Sequence, residues 1–179
     1  MDCQDMQNED NQREYSRVDA FIPLEYKLID PKQTQYLHSR VAGEVILAEF
    51  KSLPDPDDQL IAQWLKTINT KLNSIIRMLT MHHEGFDQLP IRKVNISGGG
   101  ISFCPDTPLS HGDILEFKLT LTMQYPLSLF LYGEVVEPNK NNPEYDTSVQ
   151  FIAIDDFIRD EVIRFVFEKE REILREKRR

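Results

Sequence analysis

Between Asp57 and Gly85, the apolar residues Ile61, Leu65, Ile68, Leu72, Ile75 and Leu79 fall at spacings of 4-3-4-3-4. This is the a/d pattern of a helix that lays one seam against a neighbouring helix. Such a helix runs about 40 Å at 1.5 Å per residue, too long for an ordinary connection between strands. Pro54-Asp55-Pro56-Asp57-Asp58 predicts its start, with an acidic first turn, and Gly85 predicts its stop at the C′ position. Six apolar residues on one stripe need a cover, supplied either by a second copy of the chain or by residues 33–53 folding back.

On both sides of this helix the hydrophobic period drops from 3.5 to two. Ile22, Leu24, Tyr26 and Leu28 alternate with Pro23, Glu25 and Lys27. Val94 and Ile96 alternate with Asn95 and Ser97, Ile101 and Phe103 follow, and Leu115, Phe117, Leu119 and Leu121 alternate with Glu116, Lys118 and Thr120. His111-Gly112-Asp113 marks a turn, Leu129 to Val136 and Ser148 to Ile154 add two strands, and residues 138–143 form the loop between them. The pattern predicts a mainly β fold with helical additions, a small antiparallel barrel carrying the long helix as an insertion after its first strand. Asp155-Asp156 caps a C-terminal helix, about 155–176, whose apolar side is Ile158, Val162, Phe165 and Val166 and whose end, from Glu168, is charged and solvated. Residues 33–53 fit two patterns. Leu37, Val41 and Val45 make a helical face, which is the preferred reading, while Gly43 and Val45-Ile46-Leu47 also suit a strand. Residues 1–12 read as a disordered tail ahead of one domain, 13–179, with its helical insertion at about 33–85.

Composition removes several function classes. The chain of 179 residues has a formal net charge of −9, which excludes nucleic acid and anionic lipid as main partners, since both call for a basic face. Met1 to Gln12 is polar, and no apolar run approaches the ~18 residues of a membrane span, so no membrane insertion and a cytoplasmic location are expected. Cys3 and Cys104 read as reduced thiols. His82-His83-Glu84 reads as a helix-end face, because adjacent helical histidines point about 100° apart and no further His/Cys cluster accompanies them, so no metal is predicted. Asn95-Ile96-Ser97 matches a glycosylation sequon but has no secretory signal to make it one. GxSxG, Walker A and HExxH patterns are absent, no catalytic residue is predicted, and the chain is expected not to be an enzyme.

Two short motifs carry the binding chemistry. Asn95 and Ser97 share one face of a strand, where an amide and a hydroxyl offer donors and acceptors together. Gly98, Gly99 and Gly100 follow at once, able to take positive φ and to leave room for a flat ligand against the backbone. Upstream, Arg13 and Arg17 stand four residues apart on one face, two planar forks suited to phosphate oxygens and to the O6/N7 edge of guanine.

Arg13-Glu14-Tyr15-Ser16-Arg17 followed by Asn95-Ile96-Ser97-Gly98-Gly99-Gly100 resembles the PilZ domain signature, RxxxR before the first strand and [D/N]xSxxG after a later one. The resemblance covers roughly residues 13–30 and 88–167, including "LFLYGEVV" and "SVQFIAI". It implies a six-stranded antiparallel barrel that binds the bacterial second messenger cyclic di-GMP, with no further cofactor. Arg13 and Arg17 would hold phosphates and guanine edges, while Asn95, Ser97 and Gly98 to Gly100 would meet a guanine. The insertion looks like the helical insert of the tetrameric PilZ subgroup, which implies a homo-oligomer, tetramer or dimer, joined through the helices. A downstream protein is implied but not named. The arm around Arg13 to Arg17 is expected to be mobile until ligand engages it. The alternative is an oligomeric scaffold that uses the heptad helix and binds no nucleotide.

Overall fold

The computed structural model describes residues 15–30, 37–43, 56–123, 126–136 and 144–178. In chain order the elements are β1 (Arg17–Leu28), β2 (Arg40–Val41), α1 (Gln59–His83), β3 (Ile91–Ser97), β4 (Gly100–Phe103), β5 (Ile114–Thr122), β6 (Pro126–Val136), β7 (Thr147–Ile152) and α2 (Asp156–Glu176). The first half of β1 pairs with β3 and its second half with β5. β4 joins β3 to β7, and β6 pairs with both β5 and β7, so six antiparallel strands close into a barrel. The fold is mainly β with helical additions, as the alternating patterns predict. Among the described residues, closure leaves no long unpaired edge to recruit a foreign strand.

Alternation sends Val18, Ala20, Ile22 and Leu24 inward from β1 and keeps Arg17, Asp19 and Phe21 outward. Leu115, Phe117, Leu119 and Leu121 from β5 and Leu129 and Leu131 from β6 are wholly buried, and the Phe103 and Phe117 rings meet edge to face at 5.7 Å. Ile158, Val162, Phe165 and Val166 of α2 close this core, each large side chain contributing about 1.5–3 kcal/mol gross. The α2 start is as predicted, with the Asp155 carboxylate accepting from the Ile158 N–H at 2.8 Å. Leu28 departs from its predicted inward place. It is the last residue of β1 and is exposed.

α1 begins after Asp58, whose carboxylate accepts from the N–H groups of Leu60 at 2.8 Å and Ile61 at 3.2 Å. The acid therefore acts as the N-cap, and the first turn itself carries no acidic residue, which corrects that expectation. Gly85 ends the helix with φ 72°, as predicted. Only the C-terminal end of α1 is seated on the barrel among the described residues. Thr80, the buried residue of α1, packs on Gly43, and Arg40 lies 3.9 Å over the Phe130 ring while reaching Glu84 at 3.4 Å. Phe86 is buried edge to face against Phe130 at 5.2 Å. The six seam residues stand between 46% and 64% exposed in the single chain.

The helical reading of residues 33–53 is overturned where the segment is described. Arg40–Val41 is a strand that pairs with Phe130 and Leu129, covering the stretch of β6 that β7 does not reach. Gly43 then turns the chain at φ 77°. An open length of β6 ladder outcompeted the weak helical spacing, because buried backbone groups need partners. Residues 31–36 and 44–55, the expected tail 1–12 and the loop 138–143 lie outside the described residues. Among the described residues no helix is long and apolar enough to cross a membrane.

Candidate ligand-binding site

Strand register assembles the site. Arg17 pairs with Ser97 and Asp19 with Asn95. Ser97 pairs in turn with Gly100 and Asn95 with Ser102, then Gly100 with Gln150 and Ser102 with Ser148. Residues directly opposite in an antiparallel ladder point to the same face. Two rows therefore run across the outer wall of β1, β3, β4 and β7: Arg17, Ser97, Gly100 and Gln150, and beside them Asp19, Asn95, Ser102 and Ser148. Arg17 and the Asn95 to Gly100 motif, remote in sequence, lie on adjacent strands. Arg13 lies outside the described residues.

The polar side chains of these rows are mutually bonded. Arg17 donates through Nη1 to the Ser102 hydroxyl at 3.4 Å, and the Ser102 and Ser148 hydroxyls are 2.9 Å apart. Asn95 donates through Nδ2 to Asp19 Oδ1 at 2.8 Å, and the Tyr145 hydroxyl donates to the same oxygen at 2.8 Å. Burial first, and then the bonded Asp19 carboxylate, raise the Tyr145 hydroxyl above the ordinary tyrosine range. A carboxylate only accepts, so the amide nitrogen of Asn95 must face Asp19. Its Oδ1 is left as an acceptor, and none of the described residues donates to it.

The three glycines serve close packing. None of Gly98, Gly99 and Gly100 has positive φ, which corrects the expectation that the turn exploits that freedom. The buried Ser97 hydroxyl closes the turn instead, accepting from the Gly99 N–H at 3.3 Å and donating to the Gly100 carbonyl at 3.4 Å. A Cβ on Gly100 would stand 2.3 Å from the Val149 carbonyl oxygen of β7. One on Gly98 would meet Ile163 of α2 at 2.6 Å and the Tyr15 ring at 3.0 Å, and one on Gly99 would meet that ring at 3.2 Å. The expected room for a flat group against the turn is real, and Tyr15 fills it.

Tyr15 and Ser16, the described part of the arm, are seated against α2 and the glycine turn. Ser16 donates to Glu170 at 2.6 Å, the Arg159 guanidinium lies 5.8 Å from the Tyr15 ring centre, and Arg17 belongs to the β1 ladder. Arg159, Ile163 and Glu170 stand four and seven residues apart along α2, one stripe beside its buried face. Asp19, Ser102, Ser148, Tyr15 and Arg159 were not singled out from sequence. Asp19 was accessible by the i, i+2 rule from Arg17 and Arg159 by its place beside the apolar face of α2. The serines depend on register, which no local pattern encodes.

Among the described residues no group of three or more His, Cys, Asp and Glu side chains is arranged to hold a metal ion. His82 bonds Asp87 at 2.8 Å, two exposed side chains at the end of α1.

A closed six-stranded antiparallel barrel, capped by a C-terminal helix and carrying polar rows beside a glycine turn, defines a small β-barrel domain. The PilZ domain family model matches residues 78–168, which is half of the chain. The chain belongs to the PilZ domain family, a family of cyclic di-GMP receptors. The match starts near the end of α1 and so leaves β1 outside it. No curated protein matches the chain. A solved structure of similar fold is a pathogenic protein from Xanthomonas campestris, described as a new tetrameric PilZ domain self-assembled via an unusual helical bundle. It covers 90% of this chain and 91% of its own, at TM-score 0.55 and 16% identity.

Proposed function

We propose that this chain is a bacterial, cytoplasmic cyclic di-GMP receptor without enzymatic activity, binding the dinucleotide on the outer wall between the Arg13–Arg17 arm and the Asn95–Gly100 turn. One observation carries the reading. The pairing of Arg17 with Ser97 joins the two motifs at neighbouring strand ends, and a scaffold has no use for that juxtaposition. Arg17 would donate to phosphate or to a guanine edge, as would Arg13 from the arm. The outward Oδ1 of Asn95 would accept from the N1–H and N2–H edge of guanine, so the asparagine would present the acceptor that an aspartate offers elsewhere in the family. Ser97, Gly98, Gly99 and Gly100 would shape the turn against which the base settles once Tyr15 yields its place. The signal would be the changed seating of the arm on α2, read by a downstream protein. Titration calorimetry of the purified chain with cyclic di-GMP tests the reading: saturable heat is expected, and none at near-millimolar nucleotide would overturn it.

The exposed seam of α1 supports homo-oligomerisation as part of the same function. Six half-exposed seam residues, each worth about 1.5–3 kcal/mol if buried, are a self-complementary stripe of the kind that helical bundles cover. The Xanthomonas protein of similar fold is described as tetrameric through a helical bundle, and a tetramer or dimer through α1 is the assembly proposed here. If the chain assembles and binds no nucleotide, the scaffold reading replaces the receptor.

A further inference from the structure

Arg159 belongs to no motif read from the sequence, yet it lies at the glycine turn. It sits in the first turns of α2, on the stripe that also carries Ile163 and Glu170, and this stripe faces the arm. Its Nη1 donates to the Gly98 carbonyl at 3.5 Å, at the long limit for such a bond, and its guanidinium stands 5.8 Å from the Tyr15 ring. Among the described residues no carboxylate is ion-paired to it, although the chain carries 30 acidic residues against 21 basic ones. Its helical neighbour Arg164, by contrast, is paired to Glu161. Arg159 is only partly exposed, so its charge is held at a built position by one marginal hydrogen bond and one ring. Most of its five N–H donors are uncommitted and borne beside the turn where Tyr15 occupies a flat space.

We propose that Arg159 is a third ligand-binding guanidinium of the site. It contacts the acceptor oxygens of a cyclic dinucleotide, phosphate or guanine O6, from the α2 side of the Gly98–Gly99 turn, opposite Arg17. The inference rests on the receptor reading above. When a base replaces the Tyr15 ring, the guanidinium loses its ring contact and gains an anionic or carbonyl partner, an exchange that favours the ligand because charge-assisted bonds are the stronger ones. α2 thereby becomes a wall of the site rather than only the plug of the barrel.

Calorimetry with cyclic di-GMP on four full-length proteins tests this: the parent, Arg159→Ala, Arg159→Gln and Arg164→Ala. The Gln side chain can still donate to the Gly98 carbonyl but has no charge. Both Arg159 variants should bind about tenfold or more weakly and lose part of the parent's sensitivity to added salt, with unchanged thermal midpoints, while Arg164→Ala binds like the parent. An Arg159→Ala protein that binds as tightly as the parent would overturn the assignment and leave the receptor reading standing. So would an Arg159→Gln protein with parental affinity, which would make the residue a prop for the turn. A parent that takes up no nucleotide removes both proposals at once, a result distinct from either.

Discussion

Asn95 and Asp19 face each other across the β1–β3 ladder, the amide nitrogen 2.8 Å from the carboxylate oxygen. This pairing explains why an amide rather than an acid suits position 95 here. Asn95→Asp would set two carboxylates against each other, with repulsion that both weakens the barrel and raises the proton affinity of one of them. We expect Asn95→Asp to lower the thermal midpoint at neutral pH and to recover part of the loss on mild acidification. The double change Asn95→Asp with Asp19→Asn should restore the midpoint at neutral pH. A single variant as stable as the parent across that range would show that the pair does not couple.

Arg17→Ala should weaken cyclic di-GMP binding tenfold to a hundredfold, since a hydrogen bond to a charged group is worth about 1.5–3 kcal/mol. Arg13→Ala should act similarly, and Arg17→Lys should rescue poorly because an ammonium lacks the planar fork. Calorimetry reads all three, and a double alanine variant with parental affinity would move the site elsewhere.

Leu65→Asp together with Leu72→Asp should reduce the mass seen by light scattering to that of a single chain, without loss of barrel structure. Both positions lie on the α1 seam at 46% and 49% exposure, so the charges disturb little within one subunit. A multimer unmoved by the two changes would relocate the interface.

Gly100→Ala should be the most damaging change in the turn, at about 1–3 kcal/mol or more, because its Cβ would strike the backbone carbonyl of Val149 at 2.3 Å. Gly98→Ala meets movable side chains, Ile163 and Tyr15, and should cost less stability while disturbing the seating of Tyr15. Urea unfolding of the two variants ranks them, and equal midpoints would contradict the packing argument.

At high pH the barrel should weaken in a way traceable to two tyrosines. Burial, then the hydrogen bond to Glu116, raises the Tyr132 hydroxyl from the ordinary 10.0 to about 12, and Tyr145 is raised in the same sense. A raised folded-state value means the folded chain holds the proton more tightly. The stabilisation is thus complete below pH 10 and is lost as pH climbs towards about 12. Tyr132→Phe and Tyr145→Phe should each flatten the fall in thermal midpoint over that window, and an unchanged slope in both would refute the linkage.

The barrel was legible in the sequence because its longer strands alternate a buried face with a more exposed one, so that Leu115, Phe117, Leu119 and Leu121 declare an interior at a glance. α1 declared itself through its seam, and the caps at Asp155 and Gly85 were readable as local chemistry. Leu28 misled because alternation continues past the point where the core ends, and Arg40–Val41 because two residues recruited by a neighbouring strand carry no periodic signature. In the candidate site, residues of unusual chemistry stand out in the sequence and those that depend on register do not. Ser102 and Ser148 look like any strand serines until β4 is laid between β3 and β7. For the glycines, left-handed freedom was expected, and close approach by Val149, Ile163 and Tyr15 is what they permit.

The seating of α1 by its C-terminal end has a mechanical consequence. The helix passes through the short turn Phe86–Gln88 directly into β3, the strand that presents Asn95 and Ser97. It is 25 residues long, about 37 Å at 1.5 Å per residue, and so acts as a lever pivoting near Thr80 and Gly43. A tilt of roughly 10° at that pivot would sweep the far end, near Ile61, through about 5 Å. A displacement at the barrel too small to disturb the core is thereby amplified at the tip, where copies of the chain would meet.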